Sequence, residues 1–588
     1  MSSQAWHIYL RPHRSPETPA AMRLILAILS GALLSLSYRG SFSSLYSWLC
    51  LALLLACVLG ARGWVAFACG FLHGLVFPLT CVPWIAETLS VHGGMSMAAG
   101  WGVLLLIASV WGAIVGLFAL AVQRLSKRSV TLALAGAPFL WVSTEVARAY
   151  LPEISFPWAL LGYPAAGNPA LVQLTTLTGI YGVSFLVAAF NALLMWSDLA
   201  RTPEIMESHL LNRSQEGTAS AVPKSTKNSG VLTPEVRRLA APSIYERGSR
   251  RRWIVVAAVA AVLFLVAWIG PRFVPKAEAH HVARVVQPNF PENLEYAGDW
   301  YADHKADMAE LERLSLRPSP AGYSPDLLIW PEVPAPFSFS DPHFGPVISH
   351  LAQEFHHPVV VGIIEWKPGT EIVHGVPHST FVPYNSAALL NEWGQRTFSY
   401  DKMHLVPFGE YEPFPLIHQV VTSVSEEVGG FRKGKERAVG KFSNGNTFSV
   451  FICYEAIYPG EVREFVARGA QLLINISNDG WFGTSQAAEQ HLRMARVRAV
   501  ENRRWLLRDT NSGISAAIDP YGNMVRAMKR DSRDAADLPY DFRTDTTLYS
   551  QWGDWFAWMC VGVSVILVIL TFGKAKRARL AQGFAKTA

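Results

Sequence analysis

Charged residues are scarce in this sequence. Asp, Glu, Lys and Arg make up only 16% of the 588 residues, whereas hydrophobic residues make up 51%. Soluble globular domains usually carry about 25% charged residues, so an ordinary soluble protein is a poor match. The composition is instead typical of a membrane protein that also carries a soluble domain, and the length predicts more than one domain.

Cysteine is also rare, and its placement excludes a disulfide in the polar part of the chain. Five of the six cysteines lie in long apolar segments, namely Cys50, Cys57, Cys69, Cys81 and Cys560. Cys453 alone lies in the large polar region, so it has no partner there. A single cysteine is most often a small buried hydrophobe. Only its surroundings can therefore indicate a chemical role.

Two further absences narrow the function. The pairs His280-His281 and His356-His357 are adjacent rather than spaced for a shared ligand, and no Cys/His spacing suits a metal. We therefore expect no metal site and no cofactor. The net charge is +6, but no stripe of aromatic residues and arginines accompanies it, so we expect no nucleic-acid partner.

Eight apolar segments have about the length that a bilayer requires. They cover residues 22–37, 44–60, 64–86, 99–122, 130–147, 169–195, 253–271 and 556–573. A membrane-spanning helix needs about 20 mainly apolar residues. The sequence therefore predicts a multi-pass α-helical membrane bundle of about eight transmembrane helices.

The basic residues predict how these helices are oriented. Lys and Arg are concentrated after the second, fourth, sixth and eighth segments, and few lie in the alternate loops. Because cytoplasmic loops carry the excess of basic residues, both termini are predicted to be cytoplasmic and the large polar region to lie outside the cytoplasm. Residues 199–252 are rich in Ser, Thr, Pro and Arg and show no periodicity, which predicts a disordered cytoplasmic loop.

The polar region alternates between strand-like and helix-like segments. Apolar runs at 282–287, 327–330 and 448–452 predict strands, and residues 487–504 predict a long helix. This alternation predicts an α/β domain. The resulting division is residues 1–276 for the first seven helices, 277–550 for the α/β domain, and 551–588 for the eighth helix and a basic tail.

Three polar side chains of this domain are each expected just beyond an apolar strand. Glu332 ends one apolar run, Cys453 ends another, and Lys402 lies between them in a charged, aromatic segment. A thiol nucleophile needs a base to take its proton and donors to hold the oxyanion that it creates. Each of the two charged residues could instead be an ordinary surface charge, but three such residues at equivalent strand ends favour a catalytic site.

These segments resemble the motifs of the nitrilase superfamily, and in detail those of its membrane branch, the apolipoprotein N-acyltransferases. The matching segments are 330–332, 402–411, 453–455 and 475–483 in the polar region, and 89–95, 156–158, 161–163 and 179–185 in the apolar part. The resemblance covers most of the chain. It implies a four-layer αββα sandwich for the α/β domain.

The resemblance also implies roles for site residues. Cys453 would be the nucleophile and Glu332 the general base, while Lys402 and the backbone N–H of Tyr454 would hold the oxyanion. Glu410 would orient Lys402. A sixth residue, Glu455, would be structural or face the substrate. We also expect the charge of Lys402 to lower the pKa of the thiol.

The implied function is transfer of a fatty acyl chain from a phospholipid to a bacterial lipoprotein. The acceptor would be the free α-amino group of an N-terminal S-diacylglyceryl-cysteine, reached through a thioester acyl-enzyme with ping-pong kinetics. The implied location is the bacterial inner membrane, with the catalytic domain periplasmic and the protein monomeric. One alternative is a membrane-tethered amidase or nitrilase that hydrolyses a C–N bond. Another is a transporter or scaffold with an inactive domain.

Overall fold

The computed structural model describes residues 19–40, 42–151, 155–198, 234–291, 300–319, 324–335, 337–373, 376–407, 409–411 and 430–584. The described residues are helical towards both ends, and the middle forms an α/β domain. The predicted fold class, apolar helices together with an α/β domain, is confirmed.

Among the residues that the structure describes, the N-terminal part has ten helices and some short helical turns. The helices are α1 (Ala20–Leu36), α2 (Ser47–Val58), α3 (Gly63–Cys81), α4 (Trp84–Val91), α5 (Met97–Ser126), α6 (Val130–Tyr150), α7 (Gly162–Ala166), α8 (Thr175–Thr178), α9 (Ile180–Asp198) and α10 (Pro234–Ile269). Turns of 3₁₀ helix cover Phe42–Tyr46, Leu171–Leu174 and Gly270–Phe273.

Within the described residues, six helices are long and apolar enough to cross a membrane. They are Gly63–Cys81, Met97–Ser126, Val130–Tyr150, Ile180–Ser197, Arg251–Phe273 and Trp555–Phe572. Two shorter apolar helices, Ala20–Leu36 and Ser44–Val58, correspond to the first two predicted segments. All eight predicted segments therefore contain a helix, but only six of those helices have full spanning length.

Three sequence-based boundaries are wrong. The third segment breaks after Cys81, because Pro83 cannot continue the helix and starts α4 instead. The sixth segment becomes one long helix only at Ile180, since Gly179 has a positive φ of 64° that interrupts the chain. Of the predicted disordered loop, 199–233 lie outside the described residues, whereas α10 begins at Pro234. The good helix formers between Glu235 and Ala241 explain that start.

In the described ranges, the α/β domain has twelve strands in two six-stranded sheets. The first sheet comprises β1 (His281–Gln287), β2 (Leu327–Ile329), β3 (Val359–Val373), β4 (Val376–Leu390), β5 (Arg396–Asp401) and β12 (Asp534–Tyr540), in the order β12-β1-β2-β3-β4-β5. The second comprises β6 (Gly440–Lys441), β7 (Thr447–Ile452), β8 (Leu472–Ser477), β9 (Trp505–Thr510), β10 (Ala516–Ile518) and β11 (Met524–Ala527), in the order β11-β10-β9-β8-β7-β6.

Helices cover the outer face of each sheet. They are α11 (Trp300–Asp303), α12 (Lys305–Leu316), α13 (Phe344–Phe355), α14 (Pro459–Ala467) and α15 (Ala487–Asn502), followed by α16 (Leu548–Trp552) and the long C-terminal α17 (Trp555–Phe584). Strand β2 shows how the layers form. Leu327 and Ile329 join the large core that includes the second sheet, whereas Leu328 packs in the core under α12 and α13. Alternate side chains of a strand face opposite ways, so the sandwich is αββα as the resemblance implied.

Four strands were not predicted from the sequence. Strand β5 lies at the edge of its sheet and is largely exposed, so it has no apolar run that would mark it. Strand β11 is exposed at all four residues, β6 has only two, and β12 is built mainly from small and polar residues. Edge strands need little apolar surface, and hydrophobic periodicity therefore misses them.

Helix α15 joins the sandwich to the helical bundle. Its Glu501 accepts a hydrogen bond of 2.9 Å from the N–H of Ile180, the first residue of α9. Gln490 accepts one of 2.6 Å from the indole of Trp158, and Arg498 donates to the hydroxyl of Tyr163. The same helix lies beside the turn that follows β7. The polar end of β7 is therefore held next to the helical bundle.

Candidate active site

Cys453 directly follows β7, a central strand that pairs with β8 in parallel. Its φ of 48° is unusual for a residue other than glycine, and it turns the chain out of the strand into a 3₁₀ turn, Cys453–Ile457. The residue is only 6% exposed. Its carbonyl oxygen accepts a hydrogen bond of 2.9 Å from Nε2 of His491. The thiol is thus held in a defined, nearly enclosed place.

Glu332 reaches the same end of the sandwich from the other sheet, three residues after β2. Gly362 of β3 permits this approach, because a Cβ there would lie 2.4 Å from the carbonyl oxygen of Pro331 and 2.8 Å from Cα of Glu332. The carboxylate is 5% exposed. Its Oε2 accepts a hydrogen bond of 2.8 Å from the N–H of Asn478, just after β8. Glu332 therefore bridges the two sheets.

Lys402 follows β5 and is 1% exposed. Its Nζ lies 3.0 Å from Oε1 of Glu332 and 2.9 Å from Oε1 of Glu410. The strand before it is largely polar, so the expectation that Lys402 follows an apolar strand is wrong. An edge strand has a neighbouring strand on one side only. A site residue can therefore follow it even where the strand itself has few apolar residues.

The two carboxylates and the ammonium are held together by Asn385 of β4. Its Nδ2 donates to Oε1 of Glu332 at 2.7 Å and to Oε1 of Glu410 at 2.6 Å, and its carbonyl oxygen accepts the N–H of Lys402. The other oxygen of Glu410 accepts the N–H of Val406 at 2.8 Å. Glu410 is therefore placed to orient Lys402. Asn385 was not identified from the sequence, where a polar residue within an apolar strand was its only signal.

Glu455 has no contact with solvent. Its carboxylate accepts hydrogen bonds from the hydroxyl of Tyr400 and from the N–H groups of Met403, His404 and Ile452, at 2.7 to 3.1 Å. It therefore ties the end of β7 to the segment that follows Lys402. Of its two predicted roles, this geometry favours the structural one.

Tyr454 faces the helical part of the chain. Its hydroxyl and that of Tyr458 both donate to the carbonyl oxygen of Ser155, and its ring stacks on Phe156 with centroids 6.1 Å apart. The segment 156–158, which was singled out in the sequence, thus lies beside the nucleophile. The backbone N–H of Tyr454 lies in the first turn after β7, where backbone donors have no partner within the helix.

The charges around the site oppose each other. Burial alone would lower the pKa of Lys402, but the charges of Glu332 and Glu410 raise it well above its ordinary value. Burial, followed by the charge of Glu332, raises the pKa of the Cys453 thiol, although Lys402 lowers it. The expected effect of Lys402 is therefore confirmed in direction, but burial and Glu332 outweigh it, and the net pKa of the thiol is raised. Burial away from water and the adjacent carboxylate of Glu332 disfavour the thiolate. Together they outweigh the stabilisation that the single cation of Lys402 provides.

The raised thiol pKa makes a testable prediction for the free protein. Alkylation of Cys453 by iodoacetamide should be slow at neutral pH and should keep rising through the alkaline range, because the reactive thiolate forms only there. Mass spectrometry of the peptide that contains Cys453 measures the rate. A plateau reached below neutral pH would mean that the thiolate forms in the resting protein and would contradict this account.

The side chains at this site suit nucleophilic catalysis. Across the ranges that the structure describes, no group of three or more His, Cys, Asp or Glu side chains is arranged to hold a metal ion. A buried thiol, a carboxylate and an ammonium share one enclosed end of the sandwich. Such a set can form a covalent acyl intermediate and stabilise the oxyanion that precedes it.

Comparisons with known proteins match both parts of the chain. Residues 282–538 match the family model described as carbon-nitrogen hydrolase, and residues 30–193 match that described as the apolipoprotein N-acyltransferase N-terminal domain. An apolipoprotein N-acyltransferase of Geobacter metallireducens is 33% identical over 569 residues, which cover 95% of this chain and 97% of that protein. One from Chlorobaculum tepidum is 27% identical over 93% of this chain. An amidase from Nesterenkonia sp. is 20% identical, with a TM-score of 0.32, over 47% of this chain and 94% of that chain.

Proposed function

The chain belongs to the apolipoprotein N-acyltransferase family, and on that premise we propose that Cys453, Glu332 and Lys402 carry its acyl transfer. The donor is a phospholipid. The acceptor is the free α-amino group of the N-terminal S-diacylglyceryl-cysteine of a bacterial lipoprotein. The observation that carries the proposal is the buried ion pair of Lys402 and Glu332, whose charges both act on the Cys453 thiol. This group lies beside the helical part of the chain.

In the first half-reaction Cys453 attacks an ester carbonyl of the phospholipid. Glu332 takes the thiol proton as Sγ bonds to the carbonyl carbon, which removes the need for a free thiolate beforehand. The negative charge that develops on the carbonyl oxygen of the ester is stabilised by Lys402 and the N–H of Tyr454. The C–O bond then breaks, and Glu332 returns its proton to the departing alcohol. The products are a thioester on Cys453 and a lysophospholipid.

In the second half-reaction the α-amino group of the acceptor attacks the thioester. An α-amino group has a pKa near about 8, so a usable fraction is neutral at physiological pH. Glu332 takes the proton that the nitrogen loses as the C–N bond forms. The C–S bond breaks, and the proton returns to the sulfur. Because both substrates use one acyl-enzyme, the kinetics are ping-pong.

The contacts with the helical part distinguish this site from that of a soluble hydrolase. Phe156 stacks on Tyr454, and Ser155 accepts hydrogen bonds from both tyrosines of the turn after Cys453. An acyl chain that lies in a bilayer can then reach the thiol from the side of the helical bundle. Membership of the acyltransferase family disfavours the amidase alternative, which lacks a use for these helices.

The proposed function is tested by following one labelled acyl chain. Purified protein should transfer it from a phospholipid to a diacylglyceryl-cysteinyl peptide with a free N-terminus, and not to the same peptide with an acetylated N-terminus. Chromatography and mass spectrometry of the peptide measure the product. Release of free fatty acid, with no labelled peptide, would identify a hydrolase instead.

We propose further that the protein lies as a monomer in the bacterial inner membrane, with its α/β domain on the periplasmic side and both termini in the cytoplasm. The distribution of basic residues supports this orientation. In an otherwise cysteine-free chain, single cysteines at exposed positions of 300–540 should react with an impermeant maleimide added to spheroplasts. Cysteines at 205–230 should react only after the membrane is opened. The reverse pattern of labelling would contradict the orientation.

A further inference from the structure

A buried polar cluster lies behind Cys453 and has no part in the reaction described above. Its central residue, His491 of α15, is completely buried, and its Nε2 lies 2.9 Å from the carbonyl oxygen of Cys453. A carbonyl oxygen can only accept a hydrogen bond, so Nε2 carries the proton. The ring therefore donates a hydrogen bond to the backbone of the nucleophile.

The cluster fixes the orientation of the His491 ring. Nδ1 lies 3.0 Å from Oδ1 of Asp479 and 3.1 Å from Nη2 of Arg508, which also donates to Oδ2 of Asp479 at 2.7 Å. All three side chains are buried. Burial and the charge of Arg508 lower the pKa of His491, while Asp479 opposes them. Nε2 is the nitrogen that donates to Cys453 in either charge state of the ring, because the carbonyl oxygen can only accept.

Cys453 needs such an anchor because of its backbone conformation. Its φ of 48° lies in the left-handed region, which is unfavourable for a residue with a Cβ and persists only where the surroundings enforce it. In a trans peptide the C=O of one residue and the N–H of the next point in opposite directions. A hydrogen bond that pulls the Cys453 carbonyl towards His491 therefore turns the N–H of Tyr454 to the opposite side.

We propose that His491 is a positioning residue: by holding the carbonyl of Cys453, it aims the N–H of Tyr454 at the oxyanion. This inference rests on the proposed function of Cys453 and Tyr454. His491 touches neither substrate. It acts through the single peptide plane that joins the nucleophile to the oxyanion donor.

The helical part of the chain completes this anchor. The ring of Trp158 lies over that of His491, with centroids 5.7 Å apart and planes 30° apart. The indole N–H of Trp158 donates to Oε1 of Gln490, the residue before His491. The ring that holds the nucleophile is thus enclosed by the sandwich on one side and by the helical bundle on the other.

Two substitutions of His491 by amide side chains distinguish a positioning role from a merely structural one. In His491→Gln the side-chain amide can reach the position of Nε2 and donate to the Cys453 carbonyl. In His491→Asn the shorter amide occupies the position of Nδ1 and leaves the carbonyl without its donor. The measurements are the rate of acyl-enzyme formation with phospholipid, the rate of Cys453 alkylation by iodoacetamide, and the melting temperature.

His491→Gln should form the acyl-enzyme at nearly the rate of the unmodified protein. His491→Asn should form it about 100-fold more slowly, as expected for an oxyanion donor that is no longer aimed. Alkylation needs no oxyanion donor, so its rate should be similar in both variants. Equal acylation rates in the two variants, or a parallel loss of alkylation and acylation in His491→Asn, would overturn the proposal.

An infrared measurement tests the anchor even if no acyl-enzyme forms or if His491→Asn does not fold. Cysteine labelled with ¹³C at its carbonyl would be incorporated at position 453 alone, after the other five cysteines are replaced by Ala. The labelled carbonyl band should have the same frequency in the His491 protein and in His491→Gln, and a higher one in His491→Asn or His491→Phe, where the hydrogen bond is lost. No shift in any variant would show that His491 does not hold this carbonyl. That result would leave the proposed function untouched. If instead the band shifts as expected but no acyl-enzyme forms, only the proposed function is contradicted.

Discussion

Replacing Cys453 by Ser should abolish acyl transfer, with a loss of at least about 10³-fold in turnover. The serine hydroxyl has a much higher pKa than a thiol, and a carboxylate such as Glu332 is too weak a base to activate it. Burial and the charge of Glu332 already raise the pKa of the thiol at this position, so a hydroxyl there would be harder still to ionise. Transfer of a labelled acyl chain to the acceptor peptide measures the loss.

Cys560→Ser is a matched control for this substitution. Cys560 is buried like Cys453, but it lies in the C-terminal helix α17 and not in the α/β domain that holds Glu332 and Lys402. It should retain nearly full turnover. If Cys453→Ser were as active as Cys560→Ser, the thiol at position 453 would not be the nucleophile.

Replacing Lys402 by Met should lower the rate of acyl-enzyme formation by about 10²-fold to 10³-fold, the effect expected for losing a charged oxyanion donor. Met keeps the length of the side chain but not its charge. Because Glu332 and Glu410 both contact the ammonium at about 3 Å, the same change also leaves two carboxylates close together in a buried place. Single-turnover measurement with phospholipid reports the rate.

A double variant separates loss of the oxyanion donor from loss of stability. Lys402→Met alone should lower the melting temperature, because an unpaired buried charge is strongly destabilising. Adding Glu410→Gln removes one of the two carboxylates and should restore most of the stability. It should restore none of the acylation rate. Recovery of activity together with stability would mean that Lys402 has only a structural role.

The Glu332 and Cys453 positions could be predicted because each follows a short apolar strand. Hydrophobic runs mark buried strands, and these two end at the same edge of their domain. Lys402 was also expected just beyond an apolar strand, which is wrong because its own strand, β5, is largely polar and exposed, so that only the surrounding motif marks it. The four-layer sandwich followed from the resemblance, and two of its edge strands, β5 and β11, are largely exposed.

The site residues that were not predicted make contacts between distant segments of the chain, and hydrophobic periodicity does not indicate such contacts. Asn385 contacts both carboxylates from within an apolar strand, and His491 reaches the backbone of Cys453 from a helix 38 residues away in the chain. The net sign of the thiol pKa also could not be predicted. Composition and spacing do not tell how completely the pocket excludes water, and burial is the first cause of that shift.

The most direct test of the central claim is the mass of the intact protein after incubation with phospholipid alone. The account predicts a gain of one fatty-acyl unit that maps to Cys453, is removed by hydroxylamine, and is discharged by an acceptor peptide with a free N-terminus. An acetylated peptide should leave the adduct in place. If the unmodified protein transfers acyl chains to the peptide but never carries the added mass, transfer does not pass through Cys453 and the account is wrong.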